Sequence, residues 1–122
     1  MKLKKIHGLH IVGDLYKCDF SFFAHKSEKD IKKEFSKIIL NNNLRELGNF
    51  YYFFSGQDSF TAVIALAESH LSIHTWPEDG YISLDVFVCN YYDNKENDAR
   101  LLFNDIVNIF SPKKIIKKEI IR

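Results

Sequence analysis

The sequence predicts an α+β fold, a two-layer sandwich in which two helices cover one face of a largely antiparallel sheet. Several short runs alternate apolar and polar residues with period two, which marks half-buried strands. Two longer stretches carry apolar residues at helical spacing instead. The order β, α, several β, α, β leaves both helices free to lie against a strand-rich middle. With 122 residues, 46% apolar and 27% charged, the chain has the size and balance of one globular domain spanning residues 1–122, with no linker or internal repeat.

Leu9 to Lys17 reads as the first strand, with His10, Val12, Asp14 and Tyr16 on one side and Ile11 and Leu15 on the other. Ser27 can cap a helix whose first turn holds Glu28 and Asp30. Its apolar stripe of Ile31, Phe35, Ile38 and Ile39 stops at the Asn41 to Asn43 run. Gly48 to Phe54 is aromatic and strand-like, Ser55 to Ser59 a turn, and Phe60 to Ala67 an apolar run of strand length. Leu71 to Thr75 alternates into a turn at Pro77 to Gly80, and Ile82 to Val88 sets Ile82, Leu84, Val86 and Val88 against Ser83, Asp85 and Phe87. Asp93 or Asn94 can open a second helix with a stripe of Ala99, Leu102, Phe103, Ile106, Val107 and Phe110, stopped by Ser111-Pro112. Lys113 to Arg122 reads as an edge strand protected by its charges rather than a basic binding patch.

A formal net charge of +1, with basic and acidic residues interspersed, argues against nucleic acid. No segment approaches the roughly 20 apolar residues of a membrane span. The N-terminal run MKLKKIHGLHIVGD is broken by polar residues before a secretory apolar core develops. Cys18 and Cys89 are too few for a disulfide framework, so reduced thiols and a cytoplasmic setting are expected.

The chemistry concentrates in Ala67 to Cys89, AESHLSIHTWPEDGYISLDVFVC, where a serine follows a glutamate and precedes two histidines, a Trp-Pro-Glu turn and a cysteine. This run resembles the pyruvoyl-dependent S-adenosylmethionine decarboxylases of bacterial and archaeal type, whose proenzymes cut themselves before the serine of a Glu-Ser-His motif. Decarboxylating an amino acid leaves electrons on its α-carbon, and no side chain offers an electrophilic carbonyl to receive them. A serine can become one. Its hydroxyl attacks the carbonyl of the preceding residue to give an ester, loss of the α-proton expels the carboxylate by β-elimination, and the dehydroalanine hydrolyses to a pyruvoyl group.

The resemblance implies that Glu68-Ser69 is cut into chains 1–68 and 69–122, with Ser69 the source of the pyruvoyl group that takes the substrate amine as a Schiff base. It implies that His74, in the Ile-His-Thr-Trp-Pro-Glu segment, is the base for processing, and that Cys89 protonates the α-carbon after CO2 leaves. Because Ser69 to His74 is not same-face strand spacing, a turn at Ser69 or His70 is expected to bring the imidazole round. Glu68, the new carboxyl terminus, is expected to contact substrate, and Thr61 stands where the family carries an assisting hydroxyl, usually serine. The likeness is specific in Glu68 to Cys89 and looser elsewhere between Gly8 and Asn90. The family's Pro-x-Gly loop before that hydroxyl is replaced here by Ser55-Gly56-Gln57-Asp58-Ser59-Phe60.

S-adenosylmethionine, decarboxylated to the aminopropyl donor of spermidine synthesis, is the substrate so implied. Ornithine or arginine is the alternative, since Asp58 could suit a cationic side chain. A homodimer of processed αβ units is implied, with its sites at or near the subunit interface. A non-catalytic paralogue that binds a nucleoside or a partner would instead keep Ser69 uncut. His70 and His74 lack the glutamate and third ligand of a zinc motif, so no metal is expected. Cys18 reads as a small buried hydrophobe, His7, His10 and His25 as surface or strand histidines, and the Phe50 to Phe54 aromatics as core or dimer interface.

Overall fold

A computed structural model describes residues 7–54, 58–90 and 94–122. The expected opening of the second helix at Asp93, and residues 55–57 of the expected Ser55 to Ser59 turn, lie outside the described residues. The elements run β1 (Gly8–Tyr16), α1 (Glu28–Asn41), β2 (Glu46–Phe53), β3 (Phe60–Leu66), β4 (Ser69–Trp76), β5 (Tyr81–Cys89), α2 (Glu96–Phe110) and β6 (Lys114–Ile121). The six strands form one sheet in the order β2-β3-β4-β5-β1-β6, every pairing antiparallel. This is the two-layer α+β sandwich that the sequence predicts.

Strict alternation divides the sheet into a covered and an open face. Leu9, Ile11, Leu15, Phe60, Ala62, Ile64, Leu71, Ile73, Ile82, Leu84, Val86 and Val88 are buried under the helices. Both helices bury the stripe their spacing predicts, Ile31, Phe35 and Ile39 in α1 and Ala99 through Phe110 in α2. Ser27 caps α1 by accepting a hydrogen bond from the Asp30 N–H at 3.1 Å. Ser111, left-handed at φ 43°, closes α2 with its N–H on the Val107 carbonyl at 3.0 Å, and Pro112 follows.

Gly13 fixes how α2 seats on the sheet. A Cβ there would lie 2.5 Å from Cζ of Phe103, so the bare backbone of β1 is the floor on which that ring rests. The opposite face carries His10, Val12, Asp14, Thr61, Val63, His70, Ser72, His74, Ser83, Asp85 and Phe87, and neither helix covers it. Strand boundaries differ from the sequence reading by one or two residues; among them, β2 begins at Glu46 rather than Gly48, β3 ends at Leu66 rather than Ala67, and β4 begins at Ser69 rather than Leu71.

Candidate active site

The Glu68–Ser69 peptide, where cleavage is expected, lies at the tip of a hairpin. Leu66 pairs with Ser69, so Ala67 and Glu68 alone make the turn between β3 and β4. The turn is held from both sides. The Ala67 N–H donates to the Arg45 carbonyl at 2.8 Å and the Arg45 N–H reaches Glu68 Oε1 at 3.4 Å. The Cys89 N–H donates to the Glu68 carbonyl oxygen at 2.8 Å. This carbonyl is the one a Ser69 hydroxyl would attack, and the donor already on it would stabilise the developing oxyanion. Cys89 ends β5 one residue beyond Val88, the partner of Ser69, so the main chain of Cys89 lies beside the Glu68–Ser69 peptide. Both Ser69 and Cys89 are half-buried, and Cys89 is a free thiol.

Thr61 and His74 meet at the other end of the same strands. They are register partners across β3 and β4, and Thr61 Oγ1 lies 3.0 Å from His74 Nδ1, a hydrogen bond that fixes the imidazole. Buried Thr75 secures this end, its hydroxyl donating to the Asp58 carbonyl at 2.6 Å and accepting from the Phe60 N–H at 2.9 Å. Trp76 stacks on Tyr81 with ring centroids 5.2 Å apart, and Tyr81 donates its hydroxyl to Asp14. Burial, then that carboxylate, pushes the Tyr81 phenol up to about 12, so it stays a donor. Phe54, Thr61, His74, Trp76 and Glu78 line a cleft of about 360 Å³.

The turn expected at Ser69 or His70 is therefore one residue early, at Ala67-Glu68, and does not bring His74 round. β4 runs from Ser69 to Trp76 without interruption, so five residues at ~3.3 Å each put His74 roughly 16 Å from Ser69 of the same chain. The five residues singled out by sequence fall into two groups, Glu68, Ser69 and Cys89 at one end and Thr61 and His74 at the other. His70 and His74 share a face but stand about 13 Å apart along the strand, too far to ligate one ion.

The family model for S-adenosylmethionine decarboxylase matches residues 9–122. The chain belongs to this family. The match runs past the Gly8 to Asn90 core of the expected likeness, through α2 and β6. An S-adenosylmethionine decarboxylase proenzyme of Sulfurihydrogenibium sp. is 37% identical over 116 residues, 95% of this chain and 82% of that protein. The proenzyme of Aquifex aeolicus is 36% identical over 118 residues, covering 95% and 81%. The crystal structure of the Aquifex aeolicus adenosylmethionine decarboxylase superposes with a TM-score of 0.80 at 33% identity, over 98% of this chain and 92% of that one.

Within this decarboxylase fold, Cys18 is partly buried against the core. Burial pushes the Cys18 thiol up to about 11, leaving it a protonated filler beside the core. His10 is a strand histidine of β1, within the sequence reading, but its surroundings were not foreseen. Its ring packs edge-on against Phe87 at 5.7 Å and His70 at 6.2 Å on the open face, and its Nε2 is buried. Period-two alternation set His10 opposite Ile11 and Phe87 opposite Val86, but only the β1-β5-β4 pairing makes them neighbours.

Proposed function

We propose that this protein is a pyruvoyl-dependent S-adenosylmethionine decarboxylase that makes its own cofactor from Ser69. The observation that carries the reading is the Cys89 N–H on the Glu68 carbonyl at the tip of a two-residue turn that ends at Ser69. The donor, the carbonyl and the hydroxyl residue stand in the order that serinolysis requires, so the residues present fit a serine-derived ketone. That ketone would supply the electron sink for loss of CO2. This chain's own groups do the rest: the turn presents the carbonyl, the Cys89 amide receives the oxyanion, and the Cys89 thiol returns a proton to the α-carbon. Family membership favours S-adenosylmethionine over ornithine or arginine.

The base must come from elsewhere, because His74 stands ~16 Å from Ser69 along one strand. A second copy supplies it. The open face exposes Phe50 (65%), Tyr52 (54%), Val63 (48%), Ile116 (46%) and Ile120 (45%), an apolar surface that face-to-face packing would cover. A two-fold axis lying between the sheets and across the strands reverses strand direction. It sets the Thr61–His74 end of one copy over the Ser69–Cys89 end of the other, and it does so twice. The homodimer then holds two equivalent sites, each built from both chains, and the cleft beside Trp76 and Glu78 becomes the far wall for substrate. The thiol this chemistry needs is free, which accords with a reducing cytoplasm.

Intact mass under denaturing conditions tests the reading. A 69–122 fragment one ammonia lighter than a serine-terminated chain is expected, together with CO2 release from S-adenosylmethionine above that from ornithine and arginine. A single uncut chain without decarboxylase activity would overturn it.

A further inference from the structure

Beside the scissile turn, on the open face, lies a cluster that the roles above do not use. Arg122 is bonded to Gly8 through both main-chain groups, Arg122 N–H to the Gly8 carbonyl at 2.9 Å and Gly8 N–H to the Arg122 carbonyl at 3.0 Å. Gly8 is in turn the register partner of Cys89. Only glycine fits there, since a Cβ would lie 2.6 Å from the Val88 carbonyl oxygen and 2.9 Å from Cε1 of Phe87. The Phe87 ring fills the space that a side chain at position 8 would take. It carries the Arg122 guanidinium over its face, Cζ 4.9 Å from the centroid, while the His10 and His70 rings each lie 5.7 Å away. Nε2 of His10 is buried without a hydrogen bond, and Arg122 forms no ion pair among the described residues.

A buried ring nitrogen without a partner is a cost that a ligand can relieve, and an exposed guanidinium without an ion pair is open to an anion. The Cys89 thiol protonates the α-carbon, and the α-carbon is the atom from which the carboxylate departs. We propose that Arg122, steadied on Phe87 and flanked by His10, receives the α-carboxylate of the amino-acid substrate. The inference rests on the decarboxylase reading and adds to it a residue that separates substrate from product. A guanidinium presents the planar fork of donors that a carboxylate accepts, and stacking on a ring restricts its orientation. Arg122 is exposed, so its attraction is screened by water. That suits a group that must give up its charge, because a dry, tight ion pair would hold the ground state as firmly as it bound it. Arg122 thus acts in capture and orientation rather than in the bond-breaking step.

The test compares Arg122→Met, Arg122→Lys and Phe87→Leu with the parent, using intact mass to confirm that each is cleaved. Steady-state CO2 release gives KM and kcat for S-adenosylmethionine, and the decarboxylated product serves as a competitive inhibitor that lacks only the carboxylate. Arg122→Met should be cleaved, raise KM about tenfold, leave kcat within about threefold and leave the product's inhibition constant unchanged, the pattern of a lost contact to the missing group. Phe87→Leu should move KM in the same direction, and Arg122→Lys should fall between parent and Arg122→Met because it keeps the charge without the fork. An unchanged KM in Arg122→Met overturns the proposal. Equal rises in KM and in the product's inhibition constant also overturn it, pointing instead to the Glu68 carboxylate freed by cleavage as the partner of Arg122. A parent that releases no CO2 from S-adenosylmethionine, ornithine or arginine sinks the decarboxylase reading itself, whereas an active parent matched by Arg122→Met sinks only this inference.

Discussion

If His74 acts on the partner's Ser69, two inactive chains should repair one another. The perturbation is co-expression of Ser69→Ala and His74→Ala proenzymes carrying different tags. In a mixed dimer, the intact Ser69 of the His74→Ala chain faces the intact His74 of the Ser69→Ala chain, and the other site has neither group. The magnitude follows from the two-fold arrangement: equal expression and random pairing put about half of the His74→Ala chains into mixed dimers, so up to about half should be cut. Within one chain, the ~16 Å between the two positions along β4 is far beyond the roughly 3 Å reach of a general base. Tag-specific intact mass reads the outcome, with His74→Ala expressed alone as the uncut control. Refutation is a His74→Ala chain that stays whole in the mixture, or one that is cut when expressed alone.

Thr61→Val should slow self-cleavage more than Thr61→Ser, because only valine loses the 3.0 Å contact that orients His74; a time course of proenzyme loss measures the order. Cys89→Ala should leave cleavage intact, since the oxyanion donor is the main-chain N–H, while reducing turnover by a factor of about a hundred or more. Gly13→Ala should cost about 1–3 kcal/mol by forcing Phe103 off its seat, read as a lower denaturant midpoint with an unchanged slope. At pH 9 roughly one Cys18 thiol in a hundred should be ionised, given a pKa raised to about 11 by burial, so iodoacetamide should leave it largely unlabelled in the native protein.

Local physics made most of the fold legible. Period-two alternation in β1 and β5, the Ser27 cap and the Ser111-Pro112 stop are decided by residues within a few positions of one another, and the structure places them where the pattern does. The Glu68-Ser69 position was legible through its neighbours in sequence. Its turn was misplaced because Ala67 and Glu68 carry no Gly or Asn signal, and the tip is held by Arg45 and Cys89, which are distant in sequence. The separation of His74 from Ser69 depends on β4 staying straight, which its ladders to β3 and β5 enforce and no local motif announces. His10 and Phe87 lie 77 positions apart in the chain, and only the β1–β5 pairing makes them neighbours.

A cut at Glu68-Ser69 is one the fold could survive. Severing Glu68-Ser69 would divide the molecule into β1, α1, β2 and β3 on one product and β4, β5, α2 and β6 on the other. In the sheet order β2-β3-β4-β5-β1-β6, these products interleave, because β1 of the first lies between β5 and β6 of the second. Three of the five strand pairings, β3 with β4, β5 with β1 and β1 with β6, therefore join the two products. Losing one peptide bond at a hairpin tip removes none of these ladders and exposes none of the core. The product would also keep Ser69 in register with Val88, the residue before Cys89. A turn elsewhere in the sheet, such as Pro77–Asp79 between β4 and β5, would join strands that belong to one product and would deliver no residue to the thiol. The β3–β4 tip is where the expected chain break and the Cys89 amide donor coincide, so the same geometry that would make the ketone would also keep it at the end of β5 that carries Cys89.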